Sequence, residues 1–335
     1  MADASDLTPS WLEATLRRLA GARAAGRLPS ALLIHEAPGS GGEWLAGWCA
    51  RLALCETPRA NGYPCGVCMS CRRTAAHQHP DVARISPTED SRQIRIEQVR
   101  ELIGDLALTS HGGGYKIGII SPADGLNRFA ANALLKTLEE PPPRTLLILV
   151  ATQPSRLPAT ILSRCQRIAI PAPPRSAALA FLTAERGPAD WNAVLEVLGE
   201  APMLAAQCDP DAVIRIAAEM REGLGQAARA ALDPVQTAER WAREELPLRL
   251  RCFENYITER IYRAARGSGL LTELRAGTHL PEPAPVLNIR GLFTLLDGVQ
   301  ELYSTLDAPL NRGLALESLL RRLAEEAGAD SPGRR

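Results

Sequence analysis

The stretch "ALLIHEAPGSGGEWLAGWCARLALC", residues 31–55, decides the fold class. Its apolar run at 31–36 has the length of a buried strand, and the run at 43–55 repeats apolar residues at helical spacing. A turn rich in glycine joins the two runs. Strand, glycine-rich turn and helix in this order are typical of a phosphate-binding loop in a parallel α/β protein.

The turn lacks the groups that a working phosphate loop needs. In the pattern G-x4-G-K-[ST], the lysine neutralises phosphate charge and the hydroxyl holds Mg²⁺. The first glycine, the lysine and the hydroxyl residue are replaced here by Glu36, Gly42 and Glu43. The loop keeps Gly39 and Gly41. Because Glu43 adds a negative charge beside the phosphate position, the sequence predicts no bound ATP; a plain turn that never held nucleotide is the alternative.

A second part of the same kind of site is also missing. An ATPase of this type carries acidic residues after the strand that corresponds to "YKIGII" at 115–120, where they hold Mg²⁺ and polarise water. Ser121 and Pro122 stand there instead. The sequence therefore predicts no catalytic residue that acts within this chain.

The pattern of strands and helices predicts three parts. Residues 1–170 alternate strand-like runs with amphipathic stretches, which favours a parallel sheet covered on both faces. Its later strand-like runs lie at 81–86, 115–120, 145–151 and 167–170. "PAPP" at 171–174 ends the last strand, short helices follow to 213, and helical periodicity alone continues from 214 to 335.

Two apolar stripes mark the last part as a helical domain. They consist of Leu250, Phe253, Tyr256, Ile257 and Ile261, and of Leu292, Leu295, Leu296, Val299 and Leu302. A loop is predicted at "PEPAP" (281–285), and the tail "GADSPGRR" (328–335) is predicted to fray.

Composition and charge exclude several classes of function. The chain has 335 residues, with 38 Lys and Arg against 38 Asp and Glu, so no overall basic field holds DNA. The N-terminus lacks the pattern of a signal peptide, and no apolar run is long enough to span a membrane. These features predict a cytoplasmic protein, in which clustered cysteines point to a metal.

Four of the cysteines fall in "CETPRANGYPCGVCMSC", residues 55–71. The spacing C-x9-C-x2-C-x2-C suits a tetrahedral Zn²⁺ held by Cys55, Cys65, Cys68 and Cys71. Four protein ligands leave no open position, so such a site is structural. An iron–sulfur cluster and ordinary buried thiols are the alternatives. The other cysteines lie in apolar patterns and are predicted to be core or near-core thiols; they are Cys49, Cys165, Cys208 and Cys252.

The stretch "ANALLKTLEEPPPRTLLILVATQPSRLPATILSRCQRI", residues 131–168, resembles the clamp-loader branch of the AAA+ ATPases. The segments "NALLKTLEEPP" (132–142) and "LPATILSRC" (157–165) are specific to that branch, and the cysteine insert and "HPD" at 79–81 fit its bacterial members. Within the branch, the combination is most similar to the delta-prime type of DNA polymerase III subunit. The resemblance covers about 30–170 strongly and the remaining helices by order and length.

The resemblance implies a fold and a set of domains. It implies a RecA-like AAA+ domain at 1–170 with a zinc module at 55–71, a small helical lid at 171–213 and an all-α collar at 214–335. In ATPase relatives a Gly-Ser-x-Arg stretch in the second domain carries a sensor arginine; here "GEAP" (199–202) places Pro202 at that position. This loss and those at the loop match the delta-prime type, which does not itself hydrolyse ATP.

The resemblance also implies a role. Arg164, between Ser163 and Cys165, corresponds to an arginine finger that reaches the ATP site of a neighbouring subunit. The implied partners are clamp-loader ATPase subunits and the delta subunit in a hetero-oligomeric ring, which loads the sliding clamp onto primed DNA. The chain would be a component of DNA-directed DNA polymerase, the DNA polymerase III holoenzyme, a nucleotidyltransferase, without being an ATPase itself.

Simpler interpretations and rivals stand beside these. Without its context, Arg164 would be read as a surface arginine, and Lys136 as a solvated lysine rather than a DNA contact. Glu139 and Glu140 end a helix and are assigned no chemistry. The rival functions are an ATP-hydrolysing motor subunit with a divergent loop and a zinc-dependent nucleic-acid adaptor that acts through "CGVCMSC".

Overall fold

The computed structural model describes residues 7–88, 93–112, 114–267, 289–306 and 311–328. The predicted loop at 281–285 and residues 329–335 of the predicted tail lie outside the described residues. The chain folds as two compact units. The first contains residues up to Leu195 together with Gly199–Gln207, and the second contains Glu196–Leu198 together with residues from Cys208 onward.

A five-stranded parallel sheet forms the centre of the first unit. Its strands are β1 Ala31–Glu36, β2 Val82–Ile85, β3 Lys116–Ile120, β4 Thr145–Ala151 and β5 Gln166–Ile170, in the order β2-β3-β4-β1-β5. Every strand predicted from the apolar runs is present, with ends within one residue of those predicted. The whole of β4 is buried, because helices cover both faces of the sheet. The predicted parallel α/β fold is therefore confirmed.

The helices up to residue 205 are α1 Glu13–Ala24, α2 Gly42–Leu54, α3 Met69–Ala75, α4 Ile96–Ala107, α5 Arg128–Glu139, α6 Ala159–Leu162, α7 Arg175–Arg186, α8 Trp191–Leu198 and α9 Pro202–Ala205. All belong to the first unit except the last three residues of α8, Glu196–Leu198, which belong to the second. Short 3-10 helices lie at Ser10–Leu12, Ala123–Gly125 and Pro154–Arg156. Alternate residues of β1 enter different cores: Leu32 and Ile34 pack with α1 and α2, whereas Leu33 packs with α4 and α5. This alternation is what a strand covered on both faces requires.

The second unit is helical throughout its described part. It contains α10 Pro210–Ala228, α11 Pro234–Arg243, α12 Leu246–Gly267, α13 Ile289–Ser304 and α14 Arg312–Gly328. The two predicted apolar stripes lie on α12 and α13 and contribute to one core, in which Trp241 is completely buried. The division into a lid and a collar stays a prediction, and α10 runs across its boundary at 213 and 214.

The described helices include none that combines the length and the apolar composition needed to cross a membrane.

Candidate functional site

The glycine-rich turn keeps the backbone shape of a phosphate loop. The strand β1 ends at Glu36, and α2 begins at Gly42. Gly39 and Gly41 have φ angles of +69° and +110°, in the left-handed region that glycine adopts at little cost. The first amides of α2 therefore present their N–H groups at the end of the strand, as in an anion-binding helix terminus.

A carboxylate of the chain itself occupies these amides. Oε2 of Glu36 accepts hydrogen bonds from the backbone N–H of Gly41 at 2.9 Å and of Gly42 at 2.6 Å. Burial raises the pKa of the Glu36 carboxyl, an effect that the amides of Gly42 and Gly41 oppose and the nearby charge of Glu43 reinforces. The group that replaced the first glycine of the motif thus sits where a phosphate oxygen would be held.

The same carboxylate explains why Gly42 stands in place of the lysine. A Cβ atom on Gly42 would lie 2.6 Å from Cδ of Glu36 and 2.7 Å from Cγ1 of Val150. Real side chains do not approach that closely. With Glu36 in its present position, the loop has no room for any side chain at 42.

The short helix α9 covers the loop from another side. The N–H of Met203 donates to the carbonyl of Gly39 at 3.0 Å. A Cβ atom on Gly39 would lie 2.8 Å from Cβ of Ala201, so the contact tolerates only glycine. Pro202, the predicted replacement of the sensor arginine, is the first residue of α9 and is buried next to this contact.

The two altered motif positions meet each other. Oγ of Ser121, the residue after β3, donates a hydrogen bond to Oε1 of Glu43 in the first turn of α2 at 2.7 Å. Pro122 follows and leads into the 3-10 helix at Ala123–Gly125. Arg84 lies nearby on β2; burial lowers the pKa of its guanidinium and the charge of Glu43 opposes this. The place of an acidic metal-binding pair is thus taken by Ser121 and Pro122, and the hydroxyl of Ser121 is engaged with the carboxylate of Glu43.

Arg164 lies in the bend between α6 and β5 and is held by its own chain. Its Nη2 pairs with Oε1 of Glu139 at 2.6 Å, and its Nη1 donates to the carbonyl of Thr160 at 3.0 Å and to Oγ of Ser163 at 3.3 Å. The side chain remains 34% exposed. Cys165 points the other way: it is buried, and burial raises the pKa of its thiol to about 11.

The four clustered cysteines converge. The Sγ atoms of Cys55, Cys65, Cys68 and Cys71 all lie within 4.8 Å of one another, and those of Cys65 and Cys71 are 3.9 Å apart. A tetrahedral zinc site with Zn–S bonds of about 2.3 Å has sulfurs about 3.8 Å apart. The arrangement therefore fits a metal ion held by all four.

The backbone of the insert supports negative charge on these sulfurs. The N–H groups of Cys65, Cys68 and Cys71 donate to the sulfurs of Cys55, Cys65 and Cys68 at 3.2, 3.2 and 3.4 Å. Hydrogen bonds from Thr57 and from the amide of Cys68 lower the pKa of Cys65 to about 6, whereas burial raises the pKa of Cys55 and Cys71. A divalent cation would supply the charge that keeps the two buried thiols ionised.

The "HPD" stretch has a structural role. Asp81 is buried, accepts a hydrogen bond from the backbone N–H of His111 at 3.0 Å and pairs with Nζ of Lys116 at 3.1 Å. Burial alone would raise the pKa of Asp81, but the bonds to His111 and Lys116 outweigh it, and the pKa is lowered.

Comparison with known proteins identifies the family. A family model described as "DNA polymerase III, delta subunit" matches residues 11–174. A DNA polymerase III subunit delta-prime from Pseudomonas aeruginosa is 33% identical over 333 residues, covering 97% of this chain and 99% of that one. The chain belongs to the delta-prime family of DNA polymerase III subunits.

Other relatives agree with this membership. A delta-prime subunit from Escherichia coli is 37% identical over 175 residues, which are 52% of each chain. A DNA polymerase III subunit tau from the same species is 35% identical over 153 residues, 46% of this chain and 23% of that one. The resemblance drawn from the segments at 132–142 and 157–165 is thus confirmed, and it places the chain in the clamp-loader family.

In this member of the delta-prime family, the sequence motifs missed two contacts. From the motifs, Glu36 could be identified as the replacement of the first glycine of the phosphate loop but its partner could not, and Glu139 was assigned no chemistry. A glutamate at the end of a strand that precedes a helix N-terminus was a usable signal for the first contact. The second depends on α5 and α6 ending side by side, which no local pattern shows.

Proposed function

We propose that this chain is the non-hydrolysing, delta-prime-type subunit of a bacterial replicative clamp loader. It helps to load the sliding clamp onto primed DNA as part of the DNA polymerase III holoenzyme. The observation that carries the non-hydrolysing part is the Glu36 carboxylate on the amides of Gly41 and Gly42. A nucleotide phosphate would have to displace a charge that the chain itself supplies.

Two further features support the absence of ATP binding. The contact between Met203 and Gly39 covers the turn, and the missing lysine removes the positive partner of the β- and γ-phosphates. Glu43 places another negative charge at the mouth of the same turn and is engaged with Ser121. We expect neither ATP nor Mg²⁺ to bind within this chain.

The chemistry is proposed to lie at Arg164. A guanidinium keeps its charge at any physiological pH and presents several N–H donors, which suits it to stabilise a transferring phosphoryl group. Arg164 is partly exposed on a short segment that the packing of α6 holds in place. Arg164, flanked by Ser163 and Cys165, would act in the ATP site of a neighbouring subunit.

The proposal includes partners, domains and a location. The partners are the ATPase subunits and the delta subunit of a hetero-oligomeric ring, with the sliding clamp and primed DNA reached through the complex. Residues 171–213 would form the lid and 214–335 the collar. Polymerase activity, a nucleotidyltransferase reaction, would belong to the holoenzyme, and the protein would work in the cytoplasm.

Titration of labelled ATP against the purified chain separates this proposal from a motor subunit with a divergent loop. We expect no saturable binding at micromolar ATP, with or without Mg²⁺, because the amides are already occupied. A saturable isotherm with micromolar Kd would favour the motor subunit instead.

The Arg164→Ala variant tests the arginine finger in the assembled complex. The DNA-stimulated ATPase rate of the reconstituted ring should fall by about 10³-fold or more at the affected site, with assembly unchanged. Arg167→Ala is the matched control, since this nearby exposed arginine donates to the carbonyl of Leu162 and not to the groups that hold Arg164. An unchanged ATPase rate for Arg164→Ala would refute the finger.

The cysteine cluster is proposed to hold structural Zn²⁺. All four ligands come from the chain, so the ion would contribute to folding rather than to chemistry. Metal analysis should find one equivalent of zinc in the parent protein and none in Cys65→Ser, and the melting temperature of the first unit should be lower in the variant. Cys208→Ser, outside the cluster, should change neither.

The same variant tests the rival nucleic-acid adaptor. An adaptor acting through "CGVCMSC" requires that Cys65→Ser abolish DNA contact while the fold stays as stable as before. Stability that is unaffected, together with lost DNA binding, would argue for the adaptor and against a structural site.

A further inference from the structure

Glu139, the last residue of α5, is the ion-pair partner of Arg164. Its Oε1 lies 2.6 Å from Nη2 of Arg164, a distance typical of a strong charge-assisted hydrogen bond. Glu139 itself is 50% exposed, and the side chain of its neighbour Glu140 has no hydrogen bond or ion pair among the residues that the structure describes. Of two adjacent glutamates, only one engages the arginine.

Three acceptors fix the guanidinium without saturating it. Nη1 donates to the carbonyl of Thr160 and to Oγ of Ser163, and Nη2 donates to Glu139. Within the described part of the chain, Nε has no acceptor, and Nη2 retains a second N–H. A guanidinium carries five N–H donors, so donors remain for an oxygen that another molecule supplies.

We infer that Glu139 is a positioning residue for Arg164: it holds the guanidinium in one orientation, with donors left for a phosphoryl oxygen of a neighbouring subunit's nucleotide. This inference rests on the proposed function of Arg164. A free arginine side chain loses rotamer freedom when it binds. A guanidinium already ordered in the separate subunit has undergone that loss before the transition state forms.

The exposure of the pair separates positioning from stability. Ion pairs between solvent-exposed groups contribute little to folding. Replacing Glu139 by glutamine should therefore leave the melting temperature of the chain unchanged. Its effect should be confined to the reaction in which Arg164 takes part.

The test uses the complex reconstituted with its partner subunits, sliding clamp and primed DNA. Glu139→Gln should lower the kcat of the DNA-stimulated ATPase about tenfold, less than Arg164→Ala does, because the arginine remains but is misdirected. The KM for ATP should be unchanged, since the neighbouring subunit holds the nucleotide. Glu140→Gln is the matched control and should behave as the parent protein.

A double variant shows whether Glu139 acts through Arg164. In the Arg164→Ala background, Glu139→Gln should cause no further loss, because the group that it positions is gone. Additive losses in the double variant would overturn the inference, and so would an unchanged or raised kcat for Glu139→Gln alone. In either case, a loss of kcat in Arg164→Ala would still support the proposed function. No loss for Arg164→Ala would overturn both.

Discussion

At the residue scale, the carboxylate of Glu36 binds the backbone donors of the glycine-rich turn. The amides at the start of a helix carry a partial positive charge and favour an anion. In this chain the anion is a carboxylate only a few residues away, bound through the N–H groups of Gly41 and Gly42. The loop keeps its shape because its donors are satisfied, even though it has lost the lysine.

Replacing this carboxylate should be measurable in the isolated protein. Glu36→Ala leaves two buried amides without an acceptor, and we expect the free energy of unfolding to fall by about 1–3 kcal/mol. Glu36→Gln keeps an acceptor oxygen and should have a much smaller effect. Urea unfolding of the two variants beside the parent protein measures the difference.

Inorganic phosphate supplies the control for Glu36→Ala. A ligand that binds only the folded state stabilises it, so phosphate should restore part of the lost stability in the alanine variant and not in the parent protein. An alanine variant as stable as the parent would contradict the role assigned to the carboxylate.

For single residues, the sequence motifs indicated which positions matter but not which other residues they contact. The cluster of four cysteines could be predicted because its chemistry lies in local spacing. Arg164 could be singled out because the surrounding segment at 157–165 is specific, and its role as an arginine finger stays a prediction. The hydrogen-bond partners of Glu36 and Glu139 could not be predicted, because the direction of a side chain depends on the folded structure and not on the residue type alone.

At the scale of elements, a tryptophan ring of α11 packs over a glycine of α10. Gly223 on α10 faces the ring of Trp241 on α11, whose Nε1 donates to Oε1 of Glu219 at 3.1 Å. A Cβ atom at 223 would lie 2.6 Å from Cζ2 and 2.9 Å from Cη2 of that ring. The absence of a side chain at 223 therefore leaves room for the ring of Trp241.

Gly223→Ala should destabilise the second unit. Overpacking costs about 1–3 kcal/mol, and the better helix propensity of alanine returns up to about 1 kcal/mol, so a net loss is expected. In Gly225→Ala, on the same helix, the nearest atom to the new Cβ would be 3.8 Å away on Arg229, and stability should be equal or slightly higher. Thermal unfolding of both variants checks the prediction; equal melting temperatures would contradict it.

The elements themselves could be predicted well. The five strands are short apolar runs bounded by polar residues, and the long helices repeat apolar residues at helical spacing, so local patterns suffice. The pairing of Gly223 with Trp241 could not be predicted, because the two residues come together only when separate helices pack.

At the scale of the whole molecule, each unit contains a carboxylate whose charge is stabilised by its partners. In the first unit it is Asp81, with Lys116 and His111. In the second it is Glu219, which accepts from Trp241 and pairs with Arg249 at 3.0 Å and Arg240 at 3.2 Å. Burial alone would raise the pKa of Glu219, but Arg249, Trp241 and Arg240 outweigh it, and the pKa is lowered.

These two carboxylates predict a loss of stability in acid. A carboxyl whose pKa is lower in the folded than in the unfolded protein stabilises the fold when the pH is above its unfolded-state pKa. This contribution is lost as the pH falls through the folded-state pKa. The melting temperature should therefore decline below about pH 4.5, where unfolded Glu and Asp begin to take up protons. Thermal melts across this range should show a shallower decline for Glu219→Gln.

The matched variant for this measurement is Glu222→Gln, which removes a carboxylate from the exposed side of α10. It should leave the acid decline as steep as in the parent protein. Asp81→Asn should lower stability even at neutral pH, because Lys116 would keep a buried charge without its partner. If the melting temperature falls equally steeply with acid in Glu219→Gln, Asp81→Asn and Glu222→Gln, the acid-dependent stability does not come from Glu219 and Asp81.

The organisation of the whole chain was the part least accessible to the sequence. The α/β character of the first unit and the helical character of the second follow from periodicity. The return of residues 199–207 to the first unit, where Met203 binds Gly39, depends on a contact between segments far apart in the chain.

The close approach of Glu36 to Gly42 constrains how this protein could evolve. A lysine introduced first at 42 would meet Cδ of Glu36 and Cγ1 of Val150 at less than contact distance. A small residue introduced first at 36 would leave the amides unpaired. Each single step costs stability, so the effect of a substitution at 36 depends on the residue at 42, and a lysine becomes compatible with the loop only after the carboxylate has been replaced.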